Sequence, residues 1–98
     1  MDYPIEVILR RPVTIDGRTF DRLVFDEPDL GTSIAVEEAK SHAEQTVILL
    51  AGMADVDRKV ILGVKESDFR DISRCVLEPY QAHVTGQQHD AGNEPSAR

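Results

Sequence analysis

Apolar and polar positions alternate at the start of the chain. Over residues 4–13 (PIEVILRRPV), Ile5, Val7 and Leu9 are separated by Glu6, Ile8 and Arg10. A two-residue period in a β-branched run predicts a strand. Pro12 lacks an N–H and places the end of that run at a sheet edge or a strand terminus. The Asp16-Gly17 pair is a tight-turn signal. Residues 19–26 (TFDRLVFD) supply a second strand, so a hairpin over 4–26 is expected. Its register has two readings. A two-residue Asp16-Gly17 loop sets Leu9 opposite Val24, Val13 opposite Phe20 and Arg11 opposite Arg22, and the last pair is unfavourable. A one-residue bulge instead brings Ile5, Val7 and Leu9 to one face with Leu23 and Phe25. A lone hairpin is marginal in water, so one face must pack on helices.

The period then changes to that of a helix. Thr32 or Ser33 offers an N-cap, with Glu37 and Glu38 following where the helix dipole favours acids. A helix is predicted over about 34–51, its stripe formed by Val36, Ala39, Ala43, Val47, Leu50 and Ala54. Ile48 and Leu49 fall outside that stripe, so residues 47–51 are apolar around most of the circumference. Two readings follow: burial on two sides by the domain itself, or a patch that meets another chain. On the second, Ile48, Leu49 and Met53 are the candidate partner-binding residues. Gly52 ends the helix, Asp55 caps a short one over about 56–62, and Gly63 closes it. Ser67 or Asp68 begins a last helix over about 67–80, with stripe Phe69, Ile72, Val76 and Tyr80, and Pro79 near its end. Residues 85–98 have no hydrophobic periodicity and read as a disordered tail. The expected architecture is α+β: one domain over 1–84, its N-terminal hairpin packed on about three helices.

Composition narrows the function. The chain has 98 residues and a formal net charge of −7. Residues 26–57 hold eight acids against Lys40 alone, whereas acids and bases balance over 1–25 and over 58–98. This disfavours nucleic acid and anionic membrane as partners. The acidic segment reads either as a solvated face or as a surface that steers a basic partner. No apolar run approaches the ~20 residues of a spanning helix. The start, Met1-Asp2-Tyr3-Pro4, has no signal-peptide pattern, and the single cysteine, Cys75, suits a reducing cytoplasm.

Candidate chemistry is sparse. His42, His83 and His89 show no metal-ligand spacing with one another or with Cys75. His42 reads as an exposed helix residue and Cys75 as a small buried apolar one. The carboxylate pairs Asp55/Asp57 and Glu66/Asp68 stand at helix starts and read as caps rather than as acid–base pairs. Arg10, Arg11, Arg18 and Arg22 form a basic patch on the hairpin, suited to pairing with the acidic segment of the same or a neighbouring subunit. No catalytic, cofactor or metal residues are assigned, and no enzyme activity is expected.

The order of motifs carries more than any one residue. It runs Val7-Ile8-Leu9-Arg10-Arg11-Pro12, then Asp16-Gly17, then Leu23-Val24-Phe25-Asp26-Glu27-Pro28. An acidic helix follows, ending in Leu49-Leu50-Ala51-Gly52-Met53, then Val60-Ile61-Leu62, Ser67-Asp68-Phe69 and Ile72 through Val76. Over residues 4–80 this resembles the small tail assembly chaperone family of contractile-tailed bacteriophages. Asp68 and Phe69 are the sharpest match, while the Arg10-Arg11 pair and Pro79 are not features that the resemblance requires. The resemblance implies a non-enzymatic protein of the bacterial host cytoplasm that coats the tape measure protein and keeps it soluble during tail tube assembly. It also implies self-association, and a longer form made by ribosomal frameshifting that recruits the tail tube protein, this chain resembling the short form. The alternative is a small acidic protein-interaction adaptor or antitoxin-like regulator.

Overall fold

The computed structural model describes residues 2–84. The expected tail, 85–98, lies outside them. Strands β1 (Ile5–Ile15) and β2 (Arg18–Phe25) form an antiparallel hairpin. Four helices follow: α1 (Leu30–Glu38), α2 (His42–Ala54), α3 (Arg58–Leu62) and α4 (Glu66–Ile72). The α4 axis continues through one π-helical turn, Ser73–Leu77, into helical residues 78–84. The architecture is α+β, with the hairpin laid on the helices. The core joins Val7, Leu9, Leu23 and Phe25 of the hairpin to Leu50 and Met53 of α2, Val60 of α3, and Ile72 and Val76.

The hairpin realises half of each register reading. Asp16 (φ 52°) and Gly17 (φ 79°) form the two-residue turn, and Val13 stands opposite Phe20. Beyond it the pairs are Ile8–Arg22, Val7–Leu23 and Ile5–Phe25. Between these blocks residues 9–12 face Asp21 alone, so the bulge holds three extra residues rather than one. An odd insertion forces one strand to change parity. β2 does so, and Phe20 packs on the core beside Leu23 and Phe25.

That bulge removes ladder partners from several backbone groups, and the last helix supplies a replacement. The Asp68 side chain is fully buried. Its Oδ1 accepts from the Arg10 amide and its Oδ2 from the Arg11 amide, each at 3.0 Å. Pro12 has no N–H to satisfy. The Arg10 guanidinium lies over the same carboxylate, Nε to Oδ1 3.5 Å, and reaches Asp71 at 2.6 Å. Arg74 holds the other oxygen of Asp71 at 2.5 Å. Asp68 is therefore a clamp on the hairpin, not the helix cap expected of it. The N-cap of α4 is Lys65, which makes no side-chain cap bond.

Other boundaries move for local reasons. The single helix expected over 34–51 is two. α1 starts earlier, because Asp29 rather than Thr32 or Ser33 is its cap, accepting from the Thr32 amide at 2.8 Å. That bond holds the Asp29 carboxyl below the usual aspartate range. The chain turns extended at Ala39, and Ser41 caps α2 by accepting from the Glu44 amide at 3.1 Å. The break resets the helical phase. Leu50 is buried as expected, Val36, Val47 and Ala54 only half so, and Ala43 is exposed. α2 runs through Gly52 and ends at Asp55 in the left-handed region (φ 55°), leaving Asp57 to cap α3. Gly52 is there for close approach: a Cβ would overlap the Thr32 side chain of α1, 2.9 Å from its Cβ. The last helix passes through Pro79. The wider π turn, in which the Glu78 amide donates to the Ser73 carbonyl, relaxes the clash of a proline ring with the preceding turn. The same turn places Cys75 at the surface, correcting its expected burial.

Two predictions follow from the packing. Asp68→Asn leaves one bulge amide facing an NH2 group and is expected to cost about 2–3 kcal/mol in urea unfolding, with Asp68→Ala costing more. Desolvation raises the Asp68 pKa, but the Arg11 and Arg10 amides and the Arg10 charge outweigh it and hold it low. Its stabilisation is thus present above the unfolded value near pH 3.9 and lost as pH falls through the lower folded value. Wild-type stability should fall on acidification below about pH 4, and that of Asp68→Asn should fall less steeply. Separately, Gly52→Ala is expected to destabilise by about 1–3 kcal/mol despite alanine's better helix propensity. Thr32→Ala should restore part of that loss.

Candidate interaction surfaces

The aliphatic end of α2 is inside the monomer. Ile48 and Leu49 are each 8% exposed and Met53 2%. Leu49 faces Val36, Leu77 and Tyr80. Ile48 lies in a small cleft with Ala35, Ala39 and Arg58. The Met53 carbonyl accepts from the Asp26 amide at 2.8 Å as the chain leaves β2. The expectation that these three residues contact a partner is therefore corrected. The α2 circumference is apolar because α1, β2 and α3 each pack against a side of it.

Apolar surface remains elsewhere. A groove of about 650 Å³ runs between α2, α3 and the last helix. Its apolar walls are Ala43, Val47, Ile61, Leu62, Phe69 and Leu77, and His42, Thr46, Ser73, Gln81 and the carboxylate of Glu78 contribute polar edges. Leu62 is 69% exposed. The π turn supplies both Ser73 and Leu77 to one wall. Sequence periodicity assigns Phe69 to a core stripe and Leu62 to the apolar end of a short helix. Neither assignment reveals that the two meet in an open groove. A second apolar strip lies on α1, where Leu30 and Ile34 are exposed one turn apart. On the outer hairpin face, Ile8 and Val24 are exposed beside the Arg22–Glu6 ion pair at 3.0 Å.

The charges are partitioned. Arg10 pairs with Asp68 and Asp71, Arg22 with Glu6 and Asp21, Arg70 with Glu66, and Arg74 with Asp71. Among the described residues, none of these ion pairs uses an acid from 26–57. The expected pairing of the hairpin arginines with that segment of the same chain is thus replaced by pairing within the hairpin and with α4. Arg18 stacks over Phe20, 4.8 Å from the ring centroid. Near the acidic connector, burial, Tyr80, Glu27 and Asp26 together push the Tyr3 hydroxyl pKa up.

His42 and His83 are exposed on helices, and His89 lies outside the described residues. Among the described residues no cluster of three or more His, Cys, Asp or Glu is arranged to hold a metal ion. No helix there is long and apolar enough to cross a membrane. The chain matches no family model, no curated protein and no solved structure.

Burial separates core from surface in a testable way. Leu49→Glu places a charge among packed side chains and should cost more than about 3 kcal/mol, with loss of helical circular dichroism. Leu62→Glu projects from the groove edge and should leave the unfolding midpoint within about 0.5 kcal/mol of wild type.

Proposed function

We propose that the protein is a tail assembly chaperone of a contractile-tailed phage or prophage. It binds the tape measure protein and keeps it soluble in the host cytoplasm during tail tube assembly. The observation that carries this reading is the open apolar groove on a strongly acidic domain. An amphipathic client helix can lay its apolar face along Val47, Leu62 and Phe69, a mode that tolerates many sequences and needs no reacting group. The surrounding negative charge keeps loaded complexes apart in solution. The motif order from Val7 to Val76 and the family resemblance name the client. Lateral self-association along a long client, and a longer frameshifted form that recruits the tail tube protein, belong to the same proposal.

The second reading, an acidic adaptor or antitoxin-like regulator, draws on the acids of 26–57, which form no ion pair among the described residues. Gene order separates the two: a tape measure gene just downstream and a tube gene upstream accompany the first. Co-expression is the direct test. The wild-type chain is expected to raise the soluble fraction of a tape measure fragment several-fold, and Leu62→Glu is expected to lose most of that gain while remaining folded. A fragment that stays insoluble beside a folded wild-type chain overturns the chaperone reading.

A further inference from the structure

α1 presents a face that nothing among the described residues covers. It buries no residue completely, and it leans on α2 through Thr32, against Gly52, and Val36, beside Leu49. At about 100° per residue, Leu30 and Ile34 fall on the opposite side, and Glu37 and Glu38 bracket Ile34 one turn on. Leu30 is 75% and Ile34 48% exposed. None of the residues lining the groove between α2, α3 and the last helix belongs to α1.

Charge identifies what fits this face. Residues 26–57 contain one base, Lys40, against eight acids, and their carboxylates make no ion pair among the described residues. A second copy carries the same net charge of −7, so long-range electrostatics oppose its approach to α1. An apolar ridge at i, i+4 spacing packs well against another helix. Flanking glutamates favour a partner that carries positive charge on both sides of its apolar stripe.

We propose that the outer face of α1 docks a basic amphipathic helix of another protein, with Leu30 and Ile34 as apolar anchors and Glu37 and Glu38 meeting its lysines or arginines. The inference rests on reading the domain as a polypeptide binder, not on the identity of the client, and it adds a face distinct from the groove.

The probe is a synthetic amphipathic peptide of about 18 residues, with a leucine stripe flanked by lysines. It is titrated into the full chain by calorimetry and amide chemical shifts. A peptide with glutamates in place of the lysines is the control. Binding is expected for the lysine peptide alone, with shifts centred on residues 30–38 and affinity falling as salt is added. Leu30→Ser with Ile34→Ser should weaken it about tenfold or more, with unchanged circular dichroism. The proposal is overturned by any of four results: no binding, equal binding of the glutamate peptide, unchanged affinity in the double variant, or shifts confined to the groove. A concentration-dependent dimer that Ile34→Ser abolishes would assign the face to a second copy and overturn it likewise. The co-expression assay reports separately. If the double variant still solubilises a tape measure fragment while the wild-type chain ignores the lysine peptide, the α1 proposal fails and the chaperone reading stands. If wild type binds the peptide at α1 but solubilises nothing, the chaperone reading fails and the α1 proposal stands.

Discussion

A buried carboxylate joins the two ends of this fold. The hairpin alone has two strands and an oversized bulge, and such a unit does not hold its shape in water. The bulge frees the amides of Arg10 and Arg11 from their ladder, and in the part-buried position they occupy an N–H without a partner is costly. Asp68, far along the chain on α4, accepts both. Burying a charge there is tolerable only because both oxygens are bonded and a guanidinium lies alongside. The clamp also presses the hairpin's inner face onto the helix that carries Ile72 and Val76, so apolar burial and polar satisfaction favour the same geometry.

This closure decides where binding can occur. With the hairpin fixed, α2 is packed by α1, β2 and α3, and its aliphatic end becomes core. Surface for a polypeptide partner is left at the junctions: the groove edged by Leu62 and Phe69, and the outer side of α1. These two faces differ in chemistry. The groove is mostly apolar, with one carboxylate, Glu78, among its polar edges, and suits side chains of many shapes. The α1 face is flanked by the carboxylates of Glu37 and Glu38, and the docking proposed for it depends on charge.

The sequence made some of this legible. Asp16-Gly17 specifies its own backbone, so the hairpin and its turn follow from local chemistry. The bulge depends on an acceptor 58 residues away, and neither simple register contains it. The helix break at 39–41 lacks glycine or proline, yet Ser41 and Glu44 stand at capping spacing, a signal that periodicity alone overlooks. Cys75 is exposed because the π turn shifts the phase of the helix, and Pro79 is the only hint of it. Periodicity found apolar residues reliably but not which faces neighbouring elements would cover. For that reason Ile48, Leu49 and Met53 looked available while Leu62 and Ile34 did not stand out.

Native-state amide hydrogen exchange at Arg10 and Arg11 tests the clamp on which both surfaces depend. The two amides lie in a bulge on an exposed stretch of β1, where exchange would ordinarily be fast. With Asp68 holding them, they should exchange only when the whole domain opens, as slowly as the amides of α2 around Leu50. Exchange at the rate of freely solvated loop amides would mean that the hairpin is not fixed to the helices, and that the division of α2 into core and surface does not hold.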